Sequence, residues 1–444
     1  MTRTGSALLD YVVEPTALTS GTVCVPGDKS ISHRALILGA IADGQTEIEG
    51  FLAGEDCRNT LAALRSLGVS IDQINDVTVR VDGVGMGGLG EPGQPLYFGN
   101  SGTGMRLSAG LLCGQRFDST LTGDESLTAR PMRRIIEPLS LMGARIDSDD
   151  GRPPLLIHGG HELVGIHCVL PVASAQVKSA ILLAGLYAKG ETVVMEPAVT
   201  RDHTERMLKL MGANIESDSG RIRVQATGQL KATKIQVPGD LSSAAFLILA
   251  ALIARDAEIV IRSVGVNPTR TGAIDILREM GGDIGIESPQ LVGEEPVADI
   301  RVRSSALSGI AVDSSLVSLA IDEFPVLFIA ASVAKGSTRF SGIGELRVKE
   351  SDRITAMAEG LRQMGVSIDE SEDGAEIHGG ELAGGTVDSH GDHRVAMSFA
   401  VAATVAKAAV RVRNTDAVDT SFPGFSAVLG SLGVNLSTVR TDQK

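Results

Sequence analysis

Six times along the chain a helical run ends in one short motif and passes into a strand. The copies are SLGVSI (66–71), LMGARI (141–146), LMGANI (210–215), EMGGDI (279–284), QMGVSI (363–368) and SLGVNL (431–436). Their glycines, Gly68, Gly143, Gly212, Gly281, Gly365 and Gly433, are spaced by 75, 69, 69, 84 and 68 residues. Glycine after a helix ending in Leu or Met reads as a left-handed C′ cap that turns the chain out of the helix. Upstream lies a second helical run of small apolar residues, as in RALILGAIA (34–42), SAILLAGLYA (179–188), AAFLILAALIA (244–254), VLFIAASVA (326–334) and AMSFAVAATVA (396–406), each followed by a β-rich stretch. The repeat is longer than the ~20–45 residues of solenoid units. Six compact βαβα-type modules, grouped three and three into an α/β protein of two lobes, are therefore expected.

A second repetition sets the boundary. VPGDKSISH (25–33) is echoed by VPGDLSSAA (237–245), the same turn without its cations. One lobe is expected over 22–238 and the other over 1–21 with 239–444, so that the chain crosses near residues 21 and 239. A cleft between lobes is a preferred ligand site, and the first PGD turn would lie at a crossing.

Composition narrows the function. A chain of 444 residues with 43% hydrophobic and 21% charged residues fits a globular protein of two or three domains. The net charge of −14 disfavours a general polyanion binder, so no nucleic-acid partner is expected. The lack of Trp and 3% aromatics argue against a base-stacking platform. Cys24, Cys57, Cys113 and Cys168 form no CxxC pair, which points to neither a disulfide scaffold nor a zinc site. The start MTRTGSALLDY has no signal-type apolar core, and the longest apolar run, Ala244 to Ala254, falls short of the ~20 residues that span a bilayer. A reduced, cytoplasmic enzyme without a membrane partner is expected.

The chemistry-bearing residues gather at helix starts. Lys29, Ser30, Ser32, His33 and Arg34 crowd the entrance to an apolar helix. Cations there oppose the helix macrodipole, while backbone N–H groups, hydroxyls and basic heads together make an anion cradle. As an ordinary solvated start the same stretch would simply use Ser as its N-cap. FGNSGTGMR (98–106) offers glycines for close ligand approach, with Asn100 and Thr103 as polar groups, but is neither a Walker motif nor GxGxxG. SLTARPMRR (126–134) puts Arg130 ahead of a Pro131 that suits a helix start. PVASAQVKSA (171–180) sets Ser174, Gln176 and Lys178 where repeat one has Lys29 and Ser30, and TRDHTER (200–206) is again basic. In the second half, IDEFP (321–325) holds two acids where the dipole favours them. LRVKESDR (346–353) alternates in sign, as a solvated face does. SHGDHRVAMSF (389–399) carries two histidines, but its spacing is not that of a zinc motif and Arg394 would repel a metal. No metal and no cofactor are expected. The pattern suits two small anionic substrates with acid–base groups at hand.

PGDKSISHR, FGNSGTGMR, LTARPMR, SAQVKSA, IDEFP, LRVKESDR, GDHRVAMSF and SFP (421–423) together resemble the 5-enolpyruvylshikimate-3-phosphate synthases over nearly the whole chain. The resemblance implies an inside-out α/β barrel in each lobe, built from three βαβαββ units. It also implies transfer of the enolpyruvyl group of phosphoenolpyruvate to the 5-hydroxyl of shikimate 3-phosphate, with release of phosphate. By the same similarity Lys29, Ser30, Arg34, Ser174, Ala175, Gln176, Arg201, Asp322 and Lys349 would hold shikimate 3-phosphate. Lys29, Asn100, Gly102, Thr103, Arg130, Gln176, Arg353, His393 and Arg394 would surround phosphoenolpyruvate. Asp322 would be the base for the 5-hydroxyl and Glu350 the proton donor to C3, with Lys29 beside them. A monomer is implied.

One departure marks a divergent branch. Thr420 stands where many members carry a lysine before the (S/T)FP stretch. Some members of that branch tolerate glyphosate and have Ala in place of Gly102; this chain, with Gly102, is expected to bind glyphosate in competition with phosphoenolpyruvate. The alternatives are the sister transferase acting on UDP-N-acetylglucosamine, which uses Asn after the early Lys and a loop cysteine as acid, and a non-catalytic anion-binding protein. Ser30 after Lys29, and Cys113 inside apolar LLCG, disfavour the sister.

Overall fold

Each of the six motif glycines takes a positive φ, between 85° and 101°. Each follows the last residue of a helix by two positions, closing Glu55–Ser66, Arg133–Leu141, His203–Leu210, Gly272–Glu279, Arg353–Gln363 and Phe425–Ser431. In the first, Gly68 N–H donates to Arg65 O (3.0 Å) and Val69 N–H to Leu64 O (3.2 Å), the Schellman pairing that satisfies the last carbonyls. The same pair recurs at Gly365 and Val366, which donate to Arg362 and Leu361.

A computed structural model describes residues 8–441. It divides into two compact units: unit I, Gly27–Pro238 with Leu291–Glu295, and unit II, the chain up to Pro26 with Gly239–Gln290 and everything from Pro296. The first crossing falls between Pro26 and Gly27, past residue 22, because strand Gly21–Cys24 pairs in parallel with Glu258–Gly265 of unit II.

Every repeat has its own sheet. In unit I each sheet starts with a parallel pair and continues antiparallel. Repeat one orders Lys234–Gln236, Asp43–Glu49, Thr78–Val84 and Ser70–Asn75; its parallel edge strand is thus the last strand before the second crossing. Repeats two and three follow the same order with Leu96–Tyr97, Ser119–Thr122, Arg152–His158, Arg145–Asp149 and with His167–Val169, Glu191–Met195, Arg221–Gln225, Ile215–Asp218. In unit II repeat four takes Gly21–Cys24 as its edge, and repeat six inserts Leu8–Val13 between Val410–Arg413 and Leu436–Thr441. Repeat five has three strands, its parallel edge reduced to bridges at Ser308 and Ala311.

Two kinds of helix follow from two residue patterns. The capped outer helices carry one apolar stripe, as in Glu55–Ser66, where Cys57, Thr60, Leu61 and Leu64 are buried and Arg58 and Arg65 are not. The inner helices are apolar and small on every side. Lys29–Ala40, Gly102–Leu112 and Ala175–Gly185 centre unit I; Leu241–Ile253, Phe324–Val333 and His393–Ala403 centre unit II. Leu241 through Leu252 are all buried. Small residues permit the close packing: a Cβ on Gly110 would strike the backbone of Ala180 in the neighbouring inner helix. Each unit thus has one apolar core, with the starts of its three inner helices left to carry polar groups. Among the described residues no helix is long and apolar enough to cross a membrane.

Candidate active site

In unit I the first helix is capped by Asp28 rather than by serine, its side chain accepting from Ile31 N–H at 2.9 Å. That buried carboxylate answers the question raised by Lys29 and Arg34 beside a positive helix end. Lys29 is held further by Asp56, with Nζ 3.1 Å from Oδ2. Neither Asp28 as cap nor Asp56 as partner was distinguished by pattern. Asp28 looked like part of a turn, and Asp56 lies on another helix.

Arg34 turns into the core. Its Nε donates to Thr204 Oγ1 (2.7 Å), Nη1 to Ser30 O (2.9 Å) and Nη2 to Ser179 Oγ (2.8 Å). Burial, above all, pulls its pKa down to about 10, and nearby Arg201 adds to this while Glu205 opposes it. The guanidinium therefore stays charged and ties the start of the first inner helix to the third and to Thr204, three residues from Arg201. His33 is a strut, with Nδ1 2.9 Å from Thr60 Oγ1 and Nε2 3.3 Å from Ser101 Oγ. Complete burial pushes its pKa down to about 3, helped by Lys29 and Arg34, so the ring is neutral at physiological pH.

The second polar cluster in unit I joins three motifs. Gln176 Nε2 donates to Thr103 Oγ1 at 2.8 Å, and Arg106 Nη1 donates to Gln176 Oε1 at 2.6 Å. Arg130 donates to Asn100 Oδ1 and, at 3.3 Å, to Ser126 Oγ. A Cβ on Gly102 would lie 2.8 Å from Arg106 Nη1 and 3.2 Å from Arg130 Nη1, so the glycine sits under two guanidiniums. Arg106 closes the FGNSGTGMR motif, and nothing in its spacing marks it for this contact. Ser174 caps its helix through Val177 N–H (3.4 Å), and Ala175 O accepts from Ser179 Oγ (2.6 Å). Pro131 lies before the cap residue Met132, so the helix begins at Arg133.

Lys178 departs from the equivalence with Lys29. It is buried between Glu205 (2.7 Å) and Glu196 (3.0 Å), a core ion triad with no open face. TRDHTER is likewise less bare than its sequence suggests, since Arg206 Nε pairs with the cap residue Asp202 at 2.8 Å.

In unit II the expected residues converge on one guanidinium. Arg353, with a side chain 1% exposed, donates from Nε to Asp392 Oδ2 (2.8 Å), from Nη2 to Glu350 Oε2 (2.7 Å) and from Nη1 to Asp322 Oδ1 (3.4 Å). Lys349 Nζ is also 3.4 Å from Asp322 Oδ1. Burial opposes the Arg353 charge most strongly, yet Asp392, Glu350 and Asp322 together raise its pKa above the usual arginine value. Burial opposes the charge on Asp392 too, but Arg353 and then His393 hold its carboxyl below the usual range. LRVKESDR is therefore a solvated face only in part: Arg347 pairs with Asp352 at the half-exposed surface (2.6 Å), while Glu350 turns inward to Arg353. Asp392, in the same stretch as the two histidines, is the buried counterion of the cluster and caps the helix that starts at His393 through Arg394 N–H (2.8 Å). His390 points elsewhere, pairing with Glu359 at 3.2 Å.

Arg394 is held differently. Its Nη1 donates to Asp322 O (3.0 Å) and lies 3.7 Å from Glu323 Oε1, while Nε and Nη2 make no hydrogen bond among the described residues. One edge of the guanidinium is anchored and the other is open to an anion. Glu323 stands at the N-cap of the helix Phe324–Val333. It makes no capping bond, and its carboxylate points inward. At Thr420 the hydroxyl donates to Ala417 O (2.6 Å), closing a local turn.

The fold and these clusters define the class: a six-repeat α/β protein that sets cations and hydroxyls at the starts of its helices, as binding of small anions requires, with carboxylates beside them. The chain belongs to the EPSP synthase family, whose profile, EPSP synthase (3-phosphoshikimate 1-carboxyvinyltransferase), matches residues 13–429. Among similar proteins, the 3-phosphoshikimate 1-carboxyvinyltransferase of Nitrosococcus oceani is 56% identical over 416 residues, 94% of each chain. That of Methylococcus capsulatus is 54% identical over 427 residues, 96% of this chain and 98% of the other. In structure the chain is similar to the EPSP synthase of Acinetobacter baumannii, with a TM-score of 0.87 and 48% identity over 98% of this chain and 100% of that one.

Proposed function

We propose that this chain transfers the enolpyruvyl group of phosphoenolpyruvate to the 5-hydroxyl of shikimate 3-phosphate, and that the residues gathered in the two units do so in the following roles. Lys29, Ser30, Arg34, Ser174, Ala175, Gln176 and Arg201 hold shikimate 3-phosphate, with Lys349 at its ring. Lys29, Asn100, Gly102, Thr103, Arg130, Gln176, Arg353, His393 and Arg394 hold phosphoenolpyruvate. Asp322 takes the proton of the 5-hydroxyl as its oxygen attacks C2, and Glu350 gives a proton to C3, so that CH2 becomes CH3 in a tetrahedral adduct. The C2–O bond to phosphate then breaks, C3 returns its proton to Glu350, and the hydroxyl proton leaves with inorganic phosphate. The enzyme acts as a monomer in the cytoplasm.

The observation that carries this reading is the sharing of Arg353 by Asp322 and Glu350, at 3.4 and 2.7 Å. Two carboxylates fixed on one guanidinium are positioned acid–base groups, and general acid–base catalysis needs that geometry before anything else. Fixed cations around the transferring phosphate supply the electrostatic part.

Mixing the chain with both substrates should release phosphate, and UDP-N-acetylglucosamine in place of shikimate 3-phosphate should release none. Glu350→Gln should lower kcat while leaving binding of shikimate 3-phosphate intact by calorimetry. Silence with both substrates present would overturn the assignment.

A further inference from the structure

Behind Arg394 lies a line of charged groups that the proposed chemistry does not use. Glu323, its side chain 1% exposed, accepts from Ser242 Oγ in the first turn of the inner helix Leu241–Ile253. The same Oε1 is 3.7 Å from Arg394 Nη1 and 3.9 Å from Arg270 Nη2. Arg270 is itself buried; its Nη2 donates to Ser242 Oγ (2.8 Å) and pairs with Asp240 Oδ1 (3.2 Å). Asp240 caps that helix through Ser242 N–H at 2.9 Å. The order is Asp240, Arg270, Glu323, Arg394, with charges alternating and Ser242 bridging the middle pair.

Such a line is not needed to hold a core together, because apolar side chains of like volume commonly do as well or better than buried ion pairs. The arrangement is also imperfect as packing: Glu323 Oε2 is buried without a hydrogen-bond partner among the described residues. Its one clear geometric consequence is at Arg394. Glu323 and the carbonyl of Asp322 together clamp Nη1, fixing the plane in which Nε and Nη2 stay open. The same two residues precede the helix Phe324–Val333, so the clamp also fixes the backbone that carries the Asp322 carboxylate.

We propose that Glu323, backed by Arg270, Ser242 and Asp240, is a positioning residue that orients Arg394 for the anionic groups of phosphoenolpyruvate. This rests on the role given to Arg394 above. Glu323 touches no substrate; it acts through Arg394. Removing its charge frees the guanidinium to rotate, which weakens the substrate that Arg394 binds and leaves the other substrate alone.

The test is Glu323→Gln, which keeps the shape and a hydrogen bond to Ser242. Its KM for phosphoenolpyruvate should rise about tenfold, in line with the sensitivity of bound substrates to small misplacements. Its KM for shikimate 3-phosphate should stay within twofold of the parent, and its melting temperature near the parent's. Ser242→Ala, which removes the bridge but no charge, should move the same constant in the same direction by less, and it provides the reading if the glutamine variant fails to fold. An unchanged KM for phosphoenolpyruvate would overturn the proposal, as would equal rises in both constants with a lower melting temperature. A parent protein without turnover would instead defeat the functional reading itself.

Discussion

At Val25–Arg34 and at Val237–Phe246 the chain writes one turn twice, and then decorates it in opposite ways. Both copies use proline, glycine and an aspartate that caps the following inner helix. Asp28 N–H donates to Pro238 O within unit I and Asp240 N–H to Pro26 O within unit II, each at 2.8 Å. After the turn, Lys29, His33 and Arg34 correspond to Leu241, Ala245 and Phe246. Unit I thus carries its cations on the helix itself, with Lys29 braced by Asp56. Unit II receives its cation from outside: Arg270, thirty residues on, lies against Asp240 in the core. The turn is common architecture. What differs is whether the charge beside it is left partly open, as at Lys29, or is sealed and used to orient something else.

That contrast can be broken most sharply at the two capping aspartates. Asp240→Ala removes a cap and leaves Arg270 without its closest buried carboxylate, which should cost about 3–5 kcal/mol. Asp28→Ala should cost nearer 1 kcal/mol, the worth of a cap, because Lys29 keeps Asp56. Urea denaturation of the two variants side by side measures the gap, and equal losses would mean that the turns are energetically alike. Next in size is Lys29→Ala, expected to lower turnover by about 10²–10³ with little change in stability, whereas Leu241→Ala should touch stability and not turnover. Phosphate release and thermal melting separate these outcomes.

A smaller effect is carried by pH. The folded pKa of His33 is about 3, below its ordinary value of 6.5. Between those limits the unfolded chain binds a proton that the folded chain does not, so stability falls as pH drops from 6.5 toward 3. The slope from this group is about 1.4 kcal/mol per pH unit. His33→Gln, which can still bridge Thr60 and Ser101, should flatten that part of the stability curve. A slope unaltered in the variant would show that other groups set it. The smallest effect is expected at Gly102→Ala. The added methyl would press on Arg106 Nη1, a flexible end that can yield, and on Arg130. Inhibition by glyphosate should weaken about tenfold, or ~1.4 kcal/mol, with a lesser rise in the KM for phosphoenolpyruvate. Unchanged inhibition would place Gly102 away from the inhibitor.

Much of the fold was legible because its signals are local. The six glycines, each two positions past a helix end, had only to be counted, and every one adopts the conformation that a C′ cap needs. The inner helices declared themselves by being apolar on all sides. The polar clusters were legible as residue types, yet several were misjudged as to use. Lys178 resembles Lys29 in its place on the helix, but two buried glutamates claim it. Glu323 seemed only to serve a helix dipole and also faces Arg394. Arg270, in the stretch NPTRTG, carries no local signal, since nothing near it in sequence reveals that Asp240 and Glu323 lie against it.

The sequence by itself determined the repeat number, the helix ends, the PGD turns and the family, all of which depend on neighbouring residues or on motif identity. Only the tertiary structure decided which charge meets which. Arg34 reaches Thr204 170 residues away, and Arg353 reaches Asp392 39 residues away. Helix starts brought together by packing of the inner helices determine those pairings. A charged side chain's role depends on the partners and burial it finds there, and neither is written in its own segment.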